Sequence, residues 1–408
     1  MNETFAKLKS SSTCRIPLHF GFILVVATAT LPLMLSDVSS AHEGRLSEHQ
    51  AKTPSVDHAV PTSTIRHAQI TRRFEIYGPN NAQQLRAVKQ LGVTQVIVNR
   101  PYLHLAATNL GLDVVVAYFW DQDTAAEEFE EALQQATRVE NGRLLGISLM
   151  DEPERNAPDT PFAFYRSLYQ RLRRELDITL PEVGLEISHW GPLQDWPPLA
   201  YRMFIPLYQA VDTMRIMPYP DLFDAPLREV FDTIQRSRQI MTMANRKLDL
   251  IVILQTWIAP PSNQLPTINE LRVMAYQAVL SGSTTVSFYD YNPEIWNDFN
   301  GFHDGFASLL NELTSLGKRY HNADISTTMS PDGILRSRIA IQGTLAATIV
   351  VNTNRHAVDN LEALEVIECV HALPLRGRRR IWHTWRKHSR RCRYKKALFQ
   401  KQRRRFTQ

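Results

Sequence analysis

The chain is poor in cysteine, and its three cysteines lie outside its main body. Cys14 stands near the N-terminus, whereas Cys369 and Cys392 fall in the last 40 residues. The body between them therefore has no disulfide and no thiol nucleophile. With 408 residues, 44% of them hydrophobic and 21% charged, the chain is long and apolar enough to build a large core without disulfides.

Acidic residues are missing from the C-terminal end. None follows Glu368, whereas 15 Lys and Arg lie between Arg376 and Arg405. The net charge of +5 therefore combines −10 on the rest of the chain with +15 here. We predict that residues 356–408 form a basic, disordered tail. It has three interpretations: a segment that binds a polyanion, a solvated end, or the product of translation past a frameshift. The abrupt change in composition favours the third, and no specific nucleic acid partner is expected.

Long apolar runs are also scarce, and the one of note lies near the N-terminus. Residues 16–35 are mostly apolar, follow three basic residues, and precede the small residues Ser39-Ser40-Ala41. This order is typical of a secretion signal that is cleaved before His42. The alternative is a short membrane anchor, but His19 and two prolines within the run favour cleavage. We therefore expect a signal peptide at 1–41, a secreted or periplasmic protein, and no transmembrane segment after signal cleavage.

A regular alternation of strand and helix patterns occupies residues 71–322, after a segment at 42–70 whose composition predicts a linker. Apolar strands that alternate with helices are typical of parallel sheets. Eight such units in about 250 residues predict an α/β fold, a closed (β/α)8 TIM barrel. The predicted strands are Phe74–Gly78, Thr94–Asn99, Leu112–Trp120, Leu144–Met150, Val183–Ser188, Thr213–Met217, Leu248–Trp257 and Thr284–Tyr289.

A doubly wound open sheet is the alternative fold for residues 71–322. Such a sheet usually has a glycine-rich phosphate turn after its first strand, and Gly78-Pro79-Asn80 is not one.

After the barrel, Gly333–Ile341 and Gly343–Asn352 predict two antiparallel strands. We assign residues 323–355 to an incomplete small β-sandwich.

Aromatic and polar residues gather at the C-terminal ends of the predicted strands, where barrel enzymes place their reacting groups. Aromatic faces, carboxylates and amides bind sugars, and glycosidic cleavage needs one protonated and one ionised carboxyl group. The sequence therefore predicts a carbohydrate site. Its substrate-binding candidates are Asn99, Tyr118, Trp120, Asp151, His189, Trp190, Tyr219, Asp221, Gln255, Trp257 and Tyr291.

The tripeptide Asp151-Glu152-Pro153 follows the fourth predicted strand. It resembles the Asn-Glu-Pro of the large (β/α)8 glycoside hydrolase clan, whose strand-four Glu is the general acid/base. The strings LQTW and PTINELRVMAYQAVLSGSTTVSFYDY are similar to the glycoside-hydrolase-like barrels of many exported bacterial proteins. The resemblance covers about residues 72–322. It implies a protein that hydrolyses O-glycosidic bonds of a polysaccharide or oligosaccharide, with Glu152 as general acid. Asp151 has the alternative role of capping the turn.

The chain departs from the clan at strand seven. The clan has its nucleophilic Glu there, whereas this strand ends in Gln255-Thr256-Trp257. The second carboxylate is then Asp290 on strand eight or Glu186 on strand five, with inversion as the first interpretation. Alternatively, the barrel binds glycans without cleaving them, or the protein is a scaffold with a basic tail. No cofactor is expected. No metal site is expected either, since no second His or Cys stands at ligand spacing from His189.

Overall fold

The structure is a computed structural model. It describes residues 63–67, 70–117, 134, 144–148, 162–191, 204–220, 222, 225–258, 265–298, 301–355 and 364–368. The predicted signal peptide, the Asp151-Glu152 pair and the basic residues after 368 lie outside the described residues.

Eight parallel strands close into a barrel in chain order, and the last pairs with the first. The predicted barrel is therefore confirmed, and the open-sheet alternative is wrong. One strand, β1 (Ser63–His67), precedes the barrel. The barrel strands are β2 (Phe74–Tyr77), β3 (Gln95–Val98), β4 (Asp113–Ala117), β5 (Leu144–Ser148), β6 (Gly184–Trp190), β7 (Thr213–Met217), β8 (Asp249–Gln255) and β9 (Thr285–Tyr289).

Seven described helices accompany the strands. Local capping explains where two of them begin. Asn81 accepts a hydrogen bond from the Gln84 amide at 2.9 Å before α1, and Thr267 and Glu270 form a reciprocal capping box at α5. The helices are α1 (Ala82–Gln90), α2 (Pro101–Asn109), α3 (Phe162–Thr179), α4 (Glu229–Met243), α5 (Ile268–Leu280), α6 (Pro293–Asp298) and α7 (Phe302–Arg319). No described helix has the length and apolar character that a membrane span requires.

Successive side chains of each barrel strand point alternately to the helices and to the barrel interior. In β8, Val252 and Leu254 belong to the large core under the helices, whereas Ile251 and Ile253 pack inside the barrel. This period of two follows from the pleat of a β-strand. It decides which polar residue of each strand is enclosed by the barrel.

A five-stranded antiparallel sheet joins β1 to four strands that follow the barrel, in the order β1-β10-β11-β12-β13. Its later strands are β10 (Asp324–Met329), β11 (Ile334–Ile341), β12 (Thr344–Asn352) and β13 (Leu364–Glu368). The two predicted strands are confirmed as β11 and β12.

Two segments differ from their prediction. Ser63–His67 lies in the predicted linker but forms β1, and Leu364–Glu368 lies in the predicted tail but forms β13. Both are five-residue segments whose hydrogen-bonding partner is another strand of the sheet, so a local pattern carries little sign of them.

The sheet packs one face against the barrel helices. In β11, Leu335 and Ile339 are buried in the same core as the helices, whereas Arg336 and Arg338 are exposed. The Thr327 hydroxyl donates to the Leu280 carbonyl at the end of α5, and Arg355 pairs with Glu270. The sheet therefore forms a layer that packs on the barrel helices.

Candidate functional site

Four aromatic rings meet at the carboxyl end of the barrel. Tyr77 and Tyr289 lie edge to face, with ring centroids 4.8 Å apart. The ring centroid of Trp257 lies 6.5 Å from that of Tyr289 and 6.3 Å from that of Tyr219, and these ring planes also meet at steep angles. Such edge-to-face contacts fix the orientation of each ring. We call these four residues the aromatic arc.

Asp290 directly follows β9 and is partly buried beside this arc. Burial raises the pKa of its carboxyl group above the ordinary range of an aspartate. Gly78, after β2, lies against it, and a Cβ atom built on this glycine would stand 3.3 Å from the Asp290 Cβ. The φ of Gly78 is +100°, a backbone conformation that suits glycine. The Tyr289–Asp290 peptide bond is cis.

Gln255 and Trp257 carry polar atoms that are buried at the same end. The Gln255 side chain is fully buried, and its Nε2 donates to the Trp257 carbonyl at 3.1 Å. Neither Gln255 Oε1 nor Trp257 Nε1 has a hydrogen-bond partner among the described residues. Buried polar atoms are paired in most proteins, so these two are exceptions that require an explanation.

Five predicted site residues thus share the carboxyl end of the barrel: Asn99, Tyr219, Gln255, Trp257 and Asp290. Asn99 is exposed directly after β3, whereas the Tyr219 side chain is buried against the interior cluster of β7 and β8. The aromatic arc, Asp290 and the two unpartnered atoms together form what we call the mouth.

Glu186, the other predicted base, lies in a different environment. Arg215 is fully buried in the barrel and donates from Nε to Glu186 at 2.5 Å and from Nη1 to Glu75 at 2.6 Å. Gln95 donates to the second oxygen of Glu75 at 2.5 Å. Burial raises the pKa of Glu186, although the Arg215 charge acts in the opposite direction. We call Glu75, Arg215 and Glu186 the ion triad.

The ion triad belongs to the amino-terminal half of the barrel interior. Glu186 borders a cavity of about 600 Å³ that is lined at the amino ends of the strands by Arg73, Asp212 and Asp249, among others. A Cβ atom on Gly146 of β5 would lie 2.6 Å from Glu186 Oε1, so this strand makes room for the carboxylate. Contacts at the amino end of a barrel contribute to stability, whereas barrel enzymes carry out their chemistry at the opposite end.

Two predicted binding residues face away from the mouth. His189 is buried on the outer side of β6, where the Tyr208 hydroxyl lies 3.0 Å from its Nε2. Tyr291 packs on Trp296 of α6, with ring centroids 5.0 Å apart. Strand alternation explains the first case, because Ser188 and His189 must point to opposite sides.

The remaining predicted residues are not described. Asp151, Glu152, Tyr118, Trp120 and Asp221 lie outside the described residues, and for Trp190 the structure describes the backbone alone. Their roles stay predictions. In the part of the chain that is described, no three His, Cys, Asp or Glu side chains gather in the way a metal ion requires.

Sequence reasoning missed the partners of Glu186. Glu75 and Arg215 each stand within a short strand whose other residues are nearly all apolar, FEIY and TMRIM. A charge in a buried strand requires a partner, since an isolated buried charge is very unfavourable. That signal was available, although it does not tell which charges pair.

No protein-family model matches the chain, and a comparison with curated proteins finds no match. The chain is similar to several solved structures. One is a glucosidase from Croceicoccus marinus, with 13% identity over 71% of this chain and 76% of that one and a TM-score of 0.47. Another is a family 39 glycoside hydrolase from Bacteroides cellulosilyticus, with 10% identity, coverages of 70% and 71% and a TM-score of 0.45. A third is an α-L-arabinofuranosidase from Thermotoga maritima, with 8% identity, coverages of 71% and 85% and a TM-score of 0.46.

Proposed function

We propose that this protein is a glycoside hydrolase-like enzyme that cleaves O-glycosidic bonds of a polysaccharide or oligosaccharide. The observation that carries the proposal is the position of Asp290, a partly buried carboxyl group at the end of a barrel strand and beside the aromatic arc. Aromatic rings suit the apolar faces of sugars, and a carboxyl group in such a place suits acid–base chemistry.

In the proposed reaction, Glu152 protonates the leaving oxygen and Asp290 activates the attacking water. Glu152 follows β5 in the chain, as the acid/base Glu follows strand four in the clan that the sequence resembles. We choose Asp290 as base over Glu186 because Glu186 is bound to Arg215 in the other half of the barrel. Water attack opposite the leaving group inverts the anomeric centre.

The raised pKa of Asp290 has a consequence for the pH dependence of this reaction. A base acts in its ionised form, and burial keeps Asp290 protonated to a higher pH than an ordinary aspartate. Activity should therefore fall on the acidic side at a pH above the usual aspartate pKa of about 3.9.

Hydrolysis by two single variants tests the assignment. Glu152→Gln and Asp290→Asn should each lower kcat by about 100-fold to 10,000-fold, as expected for loss of a general acid or base. Glu186→Gln, measured at a temperature where it stays folded, should retain most of the activity. Proton NMR of the first product formed should show the inverted anomer. Full activity of Asp290→Asn contradicts its role as base.

The second candidate function is glycan binding without cleavage. It is favoured by Gln255, which stands at the end of β8 where the clan has its nucleophilic Glu. In that case the wild-type protein binds oligosaccharides but hydrolyses none, and neither carboxyl variant changes this behaviour.

We also propose that the protein acts outside the cytoplasm, as the N-terminal sequence pattern predicts. Expression of the full chain in a bacterial host, followed by N-terminal sequencing of the periplasmic fraction, should give a mature chain that begins near His42. Retention of Met1 in a membrane fraction supports the anchor instead.

A further inference from the structure

In two pairs of side chains of the same type, one member has all its polar atoms paired and the other does not. Gln277 is fully buried, and both ends of its amide are bound: Oε1 accepts from the Phe231 amide at 3.3 Å, and Nε2 donates to the Leu227 carbonyl at 2.8 Å. Gln255 is equally buried, but its Oε1 has no partner among the described residues.

The same contrast holds for two tryptophans. Trp296 is fully buried, and its Nε1 donates to the Thr256 carbonyl at 3.1 Å. Trp257 lies in the aromatic arc, and its buried Nε1 has no partner within the described part of the chain. Both unpartnered atoms therefore belong to the mouth, and their paired counterparts belong to the packing between strands and helices.

The two atoms define the chemistry of a complementary ligand. An amide oxygen accepts a hydrogen bond, and an indole N–H donates one. A carboxylate cannot donate to Gln255 Oε1, and an ammonium group cannot accept from Trp257 Nε1. A hydroxyl group does both, and a sugar ring offers several hydroxyl groups together with an apolar face for the aromatic arc.

We propose that Gln255 Oε1 and Trp257 Nε1 form a subsite that binds hydroxyl groups of one uncharged sugar residue at the mouth. Gln255 is thereby a substrate-binding residue, with its amide held by the bond from Nε2 to the Trp257 carbonyl. This inference rests on the proposed function, since it names the part of the substrate that the mouth recognises. It also explains why two polar groups are buried without an internal partner.

Binding and stability measured on matched variants test the subsite. The full chain carrying Glu152→Gln, so that no substrate is consumed, is titrated calorimetrically with cellohexaose, mannohexaose, xylohexaose and laminarihexaose. Gln255→Met and Trp257→Phe should each raise the Kd of the hexasaccharide that binds by about tenfold, as loss of one hydrogen bond predicts. Their melting temperatures should change by less than those of the controls.

The controls are Gln277→Met and Trp296→Phe. They remove paired atoms, and so each should lower the melting temperature by about 5 °C while leaving Kd unchanged. The subsite is overturned if Gln255→Met and Trp257→Phe bind as tightly as the parent, even when hydrolysis by the wild type supports the proposed function. It is also overturned if none of the four saccharides binds, or if the mouth binds a peptide instead, since a peptide group also donates and accepts.

Discussion

The ion triad and the mouth differ in how their buried polar groups are paired. In the amino-terminal half, Arg215 satisfies both Glu75 and Glu186, and Gln95 completes the network. In the carboxyl-terminal half, Gln255 and Trp257 each bury a polar atom without a partner among the described residues. A closed network contributes to a single folded state, whereas an incomplete one is suited to completion by a ligand. The comparison separates residues that hold the barrel together from residues that we propose to bind its ligand.

Removing the cation of the ion triad should have the largest effect. Arg215→Met leaves two carboxylates buried without a counter-charge, and we expect the free energy of unfolding to fall by about 3–5 kcal/mol. Urea denaturation measures the change. The control is Arg171→Met, which breaks the exposed pair with Glu175 and should change stability by about 1 kcal/mol or less. An equal loss in both variants contradicts a structural role for the triad.

Crowding Asp290 should act on activity more than on stability. Gly78→Ala introduces a Cβ atom 3.3 Å from the Asp290 Cβ at a φ of +100°, with a backbone strain of about 1–3 kcal/mol. Gly92→Ala has similar strain, at a φ of +85°, but its Cβ would have no neighbour within 4 Å. Both variants should lose stability in thermal denaturation. Only Gly78→Ala should also lose hydrolysis or saccharide binding. Equal activity of the two variants contradicts the proposed role of Asp290 as base.

The pH dependence of stability tests the raised pKa of Glu186. Because the folded-state pKa of Glu186 is raised, the folded protein holds this proton more tightly than the unfolded chain does. The contribution of this proton to the free energy of unfolding is therefore present below the unfolded pKa of about 4.3. It is lost as pH rises through the folded-state pKa of Glu186. Glu186→Gln cannot ionise at this position and should not show this loss of stability. The difference in unfolding free energy between variant and wild type should therefore change with pH from about pH 4 upward. A difference that stays constant with pH contradicts the assignment.

The smallest effect is expected at the exposed edge of the mouth. Asn99→Ala should change the free energy of unfolding by no more than about 0.5 kcal/mol, because the side chain is exposed. It should still weaken saccharide binding by about two- to fivefold if it contacts the ligand, which corresponds to one solvent-exposed hydrogen bond. Asn311→Ala, at an exposed position of α7, is the control and should leave both quantities unchanged. Unchanged binding by Asn99→Ala removes this residue from the site.

Much of the mouth was predictable because strand ends are local features of a sequence. The runs LDLIVILQTW and TTVSFYDY place Gln255, Trp257 and Asp290 at strand ends without any knowledge of the fold. His189 and Tyr291 were assigned by the same rule, which ignores the side to which a residue points. The alternation within β6 sends His189 towards Tyr208 and away from the barrel interior.

The sequence by itself determined the barrel, since the order of strands and helices and the period of each pattern are encoded within short segments. It also determined which residues stand at the carboxyl ends. Only the tertiary structure decided how the buried charges and amides are paired. Closing the barrel brings Glu75 to Arg215 across 140 positions of the chain. Arg215 also pairs with Glu186, which is why we propose Asp290 as the base. Pairing depends on distances across the closed barrel, and no local pattern contains those distances.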